Sequence, residues 1–195
     1  MENKVLFGLS NVHVWPITST DTDGVPTYGE VIKIPGAVEI KISAKGDITE
    51  FKADNVTYYQ CPNNNGYDGE AKIAKTPEEF RVQILGEIKD ANGVLVESAD
   101  AKPSEFAMAF QFEGDKSAAR HVLYRCSITR PDIESKTKED KTDPNTESLK
   151  INMSPRLDNM YVKAYCEKDN KTAYDKWFGA APYEVTVSPV TQTGE

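Results

Sequence analysis

The stretch Phe106-Ala-Met-Ala-Phe-Gln-Phe112 sets Phe106, Met108, Phe110 and Phe112 against Ala107, Ala109 and Gln111, alternating residue by residue. Successive side chains of a strand point to opposite faces, so this spacing predicts a strand with its large apolar groups on one side. Gly114-Asp115 follows as a turn, and His121 to Thr129 reads as the partner strand. The pair forms the expected centre of the core.

Outward from that pair, Ile34 to Ala44 alternates in the same way, with Val38, Ile40, Ile42 and Ala44 opposite Glu39, Lys41 and Ser43. Lys45-Gly46-Asp47 reads as a turn, from which Ile48 to Ala53 returns antiparallel to that strand. Gln60 to Gly69, with Pro62, three successive asparagines and two glycines, reads as a loop. Asp90-Ala-Asn-Gly93 closes a small hairpin, and strand spacing resumes at Leu149, Ile151 and Met153 and from Tyr161 to Cys166.

One helix is expected. Thr76-Pro-Glu-Glu79 offers an N-cap, a proline at the first helical position and a carboxylate at the third, while Gly86 supplies the stop. Phe80, Ile84 and Leu85 then share a side. Period two also fits Phe80, Val82 and Ile84, and the capping box decides for the helix. A last helical turn carrying Trp177 is expected within Ala173 to Phe178.

Composition agrees with this pattern. The 195 residues hold 15 Val and 12 Ile against 7 Leu, the balance of a pleated rather than a helical surface. The expected fold is mainly β: a sandwich- or barrel-like single domain over residues 1–195, with one flanking short helix and long loops. Pro131 to Ser148 has Ile133 as its one aliphatic side chain and reads as a polar loop. A flexible N-terminal arm of about 1–15 and a loose tail of about 183–195 complete the outline.

Net charge of −8 argues against bulk phosphate binding. Cys61, Cys126 and Cys166 are widely spaced, and with His13 and His121 they make no metal set, so free thiols are expected. No apolar run is long enough to span a membrane, and the start lacks the features of a signal peptide, so synthesis and retention in the cytoplasm are expected. No catalytic or cofactor-binding residues emerge. Gly114-Asp-Lys-Ser117 lacks the upstream glycine of a phosphate loop, and Asp21-Thr-Asp-Gly24 lacks the late ligands of a calcium loop. Cys126 and His121, five apart on a strand, fall on opposite faces as a buried thiol and an exposed imidazole. Trp15, Tyr58-Tyr59 and Trp177-Phe178 leave open an aromatic platform of the kind that binds sugars in an adhesion module.

The order of motifs resembles the major tail protein, or tail tube protein, of long-tailed non-contractile bacteriophages and prophages of Gram-positive hosts. The resemblance runs through Gly8-Leu-Ser-Asn-Val-His-Val-Trp-Pro-Ile-Thr18, Pro35-Gly-Ala37, Phe51-Lys-Ala-Asp-Asn55 and Gly66-Tyr-Asp-Gly69. It continues through Leu85-Gly86, Asn92-Gly93, Phe106 to Phe112, Arg120-His-Val-Leu-Tyr-Arg-Cys126, Arg130-Pro131 and Trp177-Phe178. It implies a virion protein with no enzymatic activity and no cofactor, forming six-membered rings stacked into a tail tube. A tape measure protein inside the tube and the tail terminator and distal tail protein at its ends are the implied partners. DNA passes through the lumen without specific binding. The immunoglobulin-like C-terminal extension of some relatives is not expected in a chain of this length.

Six copies at −8 bring −48 to a ring, a field that repels DNA phosphates. Candidate contacts between subunits or rings are Trp15, Tyr58, Tyr59, Asn64, Tyr67, Lys138, Asp140, Trp177 and Tyr183. Other readings are a sugar-binding or adhesive β-sandwich and another tail or secretion-tube component.

Overall fold

The computed structural model describes residues 3–133 and 145–186. Strand accounts for 50% of the chain and helix for 8%, so the protein is mainly β, with a large antiparallel sheet and a sandwich-like build. In chain order the strands are β1 (Leu6–Thr20), β2 (Pro26–Tyr28), β3 (Ile32–Ile34), β4 (Ala37–Ala44), β5 (Ile48–Ala53), β6 (Val56–Pro62) and β7 (Tyr67–Ile73). After a helical turn come β8 (Ile88–Lys89), β9 (Leu95–Val96), β10 (Phe106–Gly114), β11 (Ala119–Ile128), β12 (Glu147–Met153) and β13 (Lys163–Glu167).

The main sheet runs β2-β1-β10-β11-β12-β7-β4, with β3 on β1 and β13 on β11 as branches. β10 is central and buried on both faces. Phe106, Met108 and Phe110 point into one core with Val12, Val14, Ile32, Ile73, Leu149 and Ile151. Strands from both ends of the order meet there, so the sheet curls around this core. Ala107 and Ala109 point the other way, into a second core with Trp15, Val122, Tyr124, Cys166 and Trp177. The short alanines make room there for two indoles.

Trp15 is wholly buried. The segment expected as a flexible arm over 1–15 is therefore structural from residue 6, where Leu6 opposes Gly114 across β1 and β10. Ahead of it, Asn3 accepts bonds from the Lys116 and Ser117 amides at 3.1 and 2.9 Å, stapling the start of the chain to the β10–β11 turn. The apolar positions of β1 were a stronger signal than its place near the terminus.

The helix forms where expected, over α1 (Glu78–Phe80) and a wider π-type turn at Arg81–Leu85, and stops at Gly86 with φ 77°. Phe80, Ile84 and Leu85 are buried together. Thr76 is not its N-cap: Pro77 holds that position, and the Thr76 hydroxyl and amide both donate to Glu147. A carboxylate distant in sequence outcompeted the local cap. A second helix, α2 (Lys171–Asp175), covers the Trp15 core just before Trp177.

Residues 37–73 differ most from expectation. β4 pairs with β7, and β5 pairs with β6. Bonds from the Lys45 amide to the Gly66 carbonyl (2.9 Å), from Asn65 to Lys45 (2.9 Å) and from Asn63 to Asp47 (3.0 Å) join the two ladders. Lys45-Gly46-Asp47 is thus no reversal. It is the waist of one long hairpin whose base, β4 and β7, belongs to the body, and the loop expected over 60–69 shrinks to the other side of that waist.

Candidate assembly surface

Beyond the waist, β5 and β6 leave the body as a two-stranded tip, residues 48–62, in which every side chain but Ala53 is exposed. Its turn is Asp54-Asn55, with φ values of 51° and 61°. Positive φ at both central residues is the geometry whose twist matches a hairpin, and Asp and Asn tolerate it better than other non-glycine residues.

The register gives the tip two unlike faces. Phe51 opposes Tyr59 and Thr49 opposes Cys61, while Glu50 opposes Gln60, with an irregularity that inserts Tyr58. Gln60 donates to Glu50 at 3.2 Å and Lys52 lies 4.0 Å from the same carboxylate, so this face is polar. The Phe51–Tyr59 face carries its aromatic rings in water, with Phe51 59% and Tyr59 61% exposed. Tyr58 is 75% exposed.

A second unpartnered apolar surface lies at the start of β4. Leu6, Phe7, Leu9, Val38, Ile40 and Phe112 line a groove of about 310 Å³, open to solvent. A register irregularity between Ala37 and Glu39 turns Val38 outward, against the simple alternation expected of this strand. Among the described residues, β4 pairs with β7 alone, so its other edge, which faces the start of β1 across the groove, has no hydrogen-bonded strand.

The sequence candidates separate on this geometry. Tyr58 and Tyr59 belong to the tip. Asn64 sits at the waist, where its side chain accepts from the Gly66 amide at 3.1 Å. Tyr67 packs half-buried on the main core, beneath the Lys163 ammonium. Trp15 and Trp177 are interior and offer no surface: Trp177 is 1% exposed and its indole donates to the His121 carbonyl at 3.1 Å. Tyr183 stacks on Trp177 and accepts at its carbonyl from Tyr124, so the segment expected to be loose from 183 is anchored at its start. Lys138 and Asp140 lie outside the described residues.

These burials take Trp15 and Trp177 out of the expected aromatic platform and leave Tyr58 and Tyr59 as its members that face solvent. His121 is half-buried rather than exposed, ringed by Phe110, Phe112 and Tyr165, and Cys126 is sealed in the main core on the same face of β11, not the opposite one expected, because a register irregularity between Phe106 and Met108 shifts the alternation. The two do not face each other. Burial pushes the Cys126 thiol up and the His121 imidazole down to about 4. Asp21 closes its own turn by accepting from the Asp23 and Val25 amides. Among the described residues no three His, Cys, Asp or Glu side chains converge as metal ligands, and no helix is long and apolar enough to cross a membrane.

No family model matches the chain, and no curated protein matches it. Sequence reasoning missed Phe51 and Val56 on the tip and Leu6, Phe7 and Val38 at the groove. The signal for the tip was present in Asp54-Asn55 between two runs of strand formers. The groove had none, because it joins residues far apart in the chain.

Proposed function

We propose that this chain is the tube subunit of a phage tail, a structural protein that forms stacked six-membered rings through which DNA leaves the virion. The observation that carries the reading is the tip of residues 48–62, which projects from the body with an aromatic face in water. A two-stranded hairpin is marginal by itself, and exposed aromatic surface of this kind marks a contact site. The edge of β4 without a hydrogen-bonded strand is a second such feature. Heterologous contacts between identical subunits generate rings where rotation closes and filaments where it does not.

The outer side of β4, β7 and β12 suits a wall past which nucleic acid slides. Lys72 is bonded to Glu39 at 2.8 Å, Lys45 to Asp68 at 3.2 Å and Lys150 to Asp132 at 3.1 Å, so these ammonium groups are already occupied. With the net charge of −8, phosphates find little to hold. On this reading the protein is made in the host cytoplasm and works in the virion. Its partners are further copies of itself, a tape measure protein within the tube, and the terminator and distal proteins at its ends.

Negative-stain electron microscopy of the concentrated protein tests the proposal. Hollow tubes or stacked rings of uniform diameter are the expected result. Solitary particles at every concentration would refute it.

A further inference from the structure

The tip and the groove stand at opposite ends of one strand direction. β4 begins at the groove, with Val38 and Ile40, and through the waist it continues into β5 and Phe51. Phe51 lies thirteen residue steps beyond Val38, which at about 3.3 Å per residue is a reach of up to roughly 43 Å. Within one chain the two surfaces therefore belong to different ends of the long hairpin. We propose that the groove of Leu6, Phe7, Val38, Ile40 and Phe112 is the seat for the Phe51–Tyr59 face of a second copy of this chain. The inference rests on the tube-subunit reading and names the partner surface that the tip engages.

Chemistry and size both fit. The groove is walled mainly by aliphatic and aromatic side chains, with Gly8 and Glu39 also in its lining, and the tip presents two cross-strand rings on one ladder. Its volume of about 310 Å³ is of the order needed to take ring-sized groups. Because donor and acceptor surfaces differ, the contact is head-to-tail and repeats from copy to copy along β4 instead of closing as a pair.

Area predicts the strength. Two aromatic side chains bury about 150–250 Å² each, so one seating falls short of the roughly 800 Å² per partner typical of a stable interface. An isolated pair of copies therefore associates weakly, and the contact holds once several are made together between multivalent assemblies.

The test uses the full chain with Cys61→Ser, which removes the exposed thiol while Cys126 and Cys166 stay buried. Phe7→Cys and Phe51→Cys are introduced in separate preparations carrying different tags, mixed, and treated with a mild thiol oxidant. Both positions are more than half exposed, so the substitutions leave the cores intact. Mixed disulfide dimers are expected at least tenfold above like-with-like dimers, and equal yields would overturn the seat. In parallel, Val38→Glu is expected to raise the concentration needed for assembly at least tenfold, and unchanged assembly counts against the seat. Electron microscopy of the unmodified chain separates the two proposals. Tubes without an excess of mixed dimers overturn the seat alone. Mixed dimers without tubes uphold the seat and overturn the tube reading.

Discussion

Gly46 lies so close to the Asn63 carbonyl that a Cβ built on it would stand 1.9 Å from the oxygen. No flexible side chain can yield there, because the obstacle is backbone of the partner strand. The two residues face each other at the waist where the tip leaves the body, so a missing side chain sets the path of the whole projection.

Gly46→Ala should therefore break the waist bonds of Lys45, Asn63 and Asn65 and release residues 48–62 from their fixed direction. Since the tip covers neither core, the body should lose no more than about 1 kcal/mol. Hydrogen exchange should show lost protection confined to 45–66, with assembly impaired. Retained protection across that segment would contradict the account.

Glu147 gathers the Thr76 amide and hydroxyl and the Arg81 guanidinium on one oxygen, tying β12 to the start of α1. Thr76 is 1% exposed, so Glu147→Ala strands buried donors. The expected loss is about 2 kcal/mol in urea denaturation. Thr76→Val, which removes only the hydroxyl, should cost less than half as much.

His121 has a folded pKa of about 4 against an ordinary value of 6.5, because burial penalises its charged form and Lys163 adds to that penalty. The unfolded chain therefore binds the proton first. Stability is complete above about pH 6.5, falls as pH drops towards 4, and levels below it. The upper limit is about 3 kcal/mol, reduced by solvent screening. His13 is shifted in the same direction, so the clean measurement is the difference between the wild type and His121→Phe. The Tm of the wild type minus that of His121→Phe should rise progressively from pH 4 to pH 7, and a constant difference would exclude the imidazole as its source.

Arg156, 4% exposed, holds Asp158 at 2.7 Å and Glu184 at 2.7 Å, and its guanidinium lies over the Tyr124 ring. It clamps the chain after Trp177 onto the second core. Arg156→Ala should cost about 3 kcal/mol, since it leaves two carboxylates without their cation at the edge of a packed layer. Truncation after Pro182 should likewise destabilise the body, because it strips Tyr183 from Trp177. Trp177 fluorescence during unfolding would report both changes, and unaltered midpoints would contradict the clamp.

Much of the fold was legible because it is written in local period. Phe106 to Phe112, the Leu149–Met153 strand, the Asp90–Gly93 turn and the Phe80–Leu85 face all appear where alternation and turn chemistry put them. Misreadings came where two explanations share one pattern. Lys45-Gly46-Asp47 has the composition of a reversal and serves as a waist, since glycine answers both a turn and a close approach of backbones. Trp15 and Trp177 look alike on paper whether they bind a partner or fill a core.

A β protein with a net negative charge is written into the chain's local order, because β-branched alternation and side-chain ionisation depend only on neighbours along the chain. Tertiary structure alone decided which aromatics are surface and which are interior. Alanines at 107 and 109, brought beneath two indoles by sheet pairing, made room to bury Trp15 and Trp177. Among the described residues no packed layer reaches beyond the waist, so Phe51, Tyr58 and Tyr59 remain in water. Burial is a property of what lies opposite, and that is fixed only when distant strands meet.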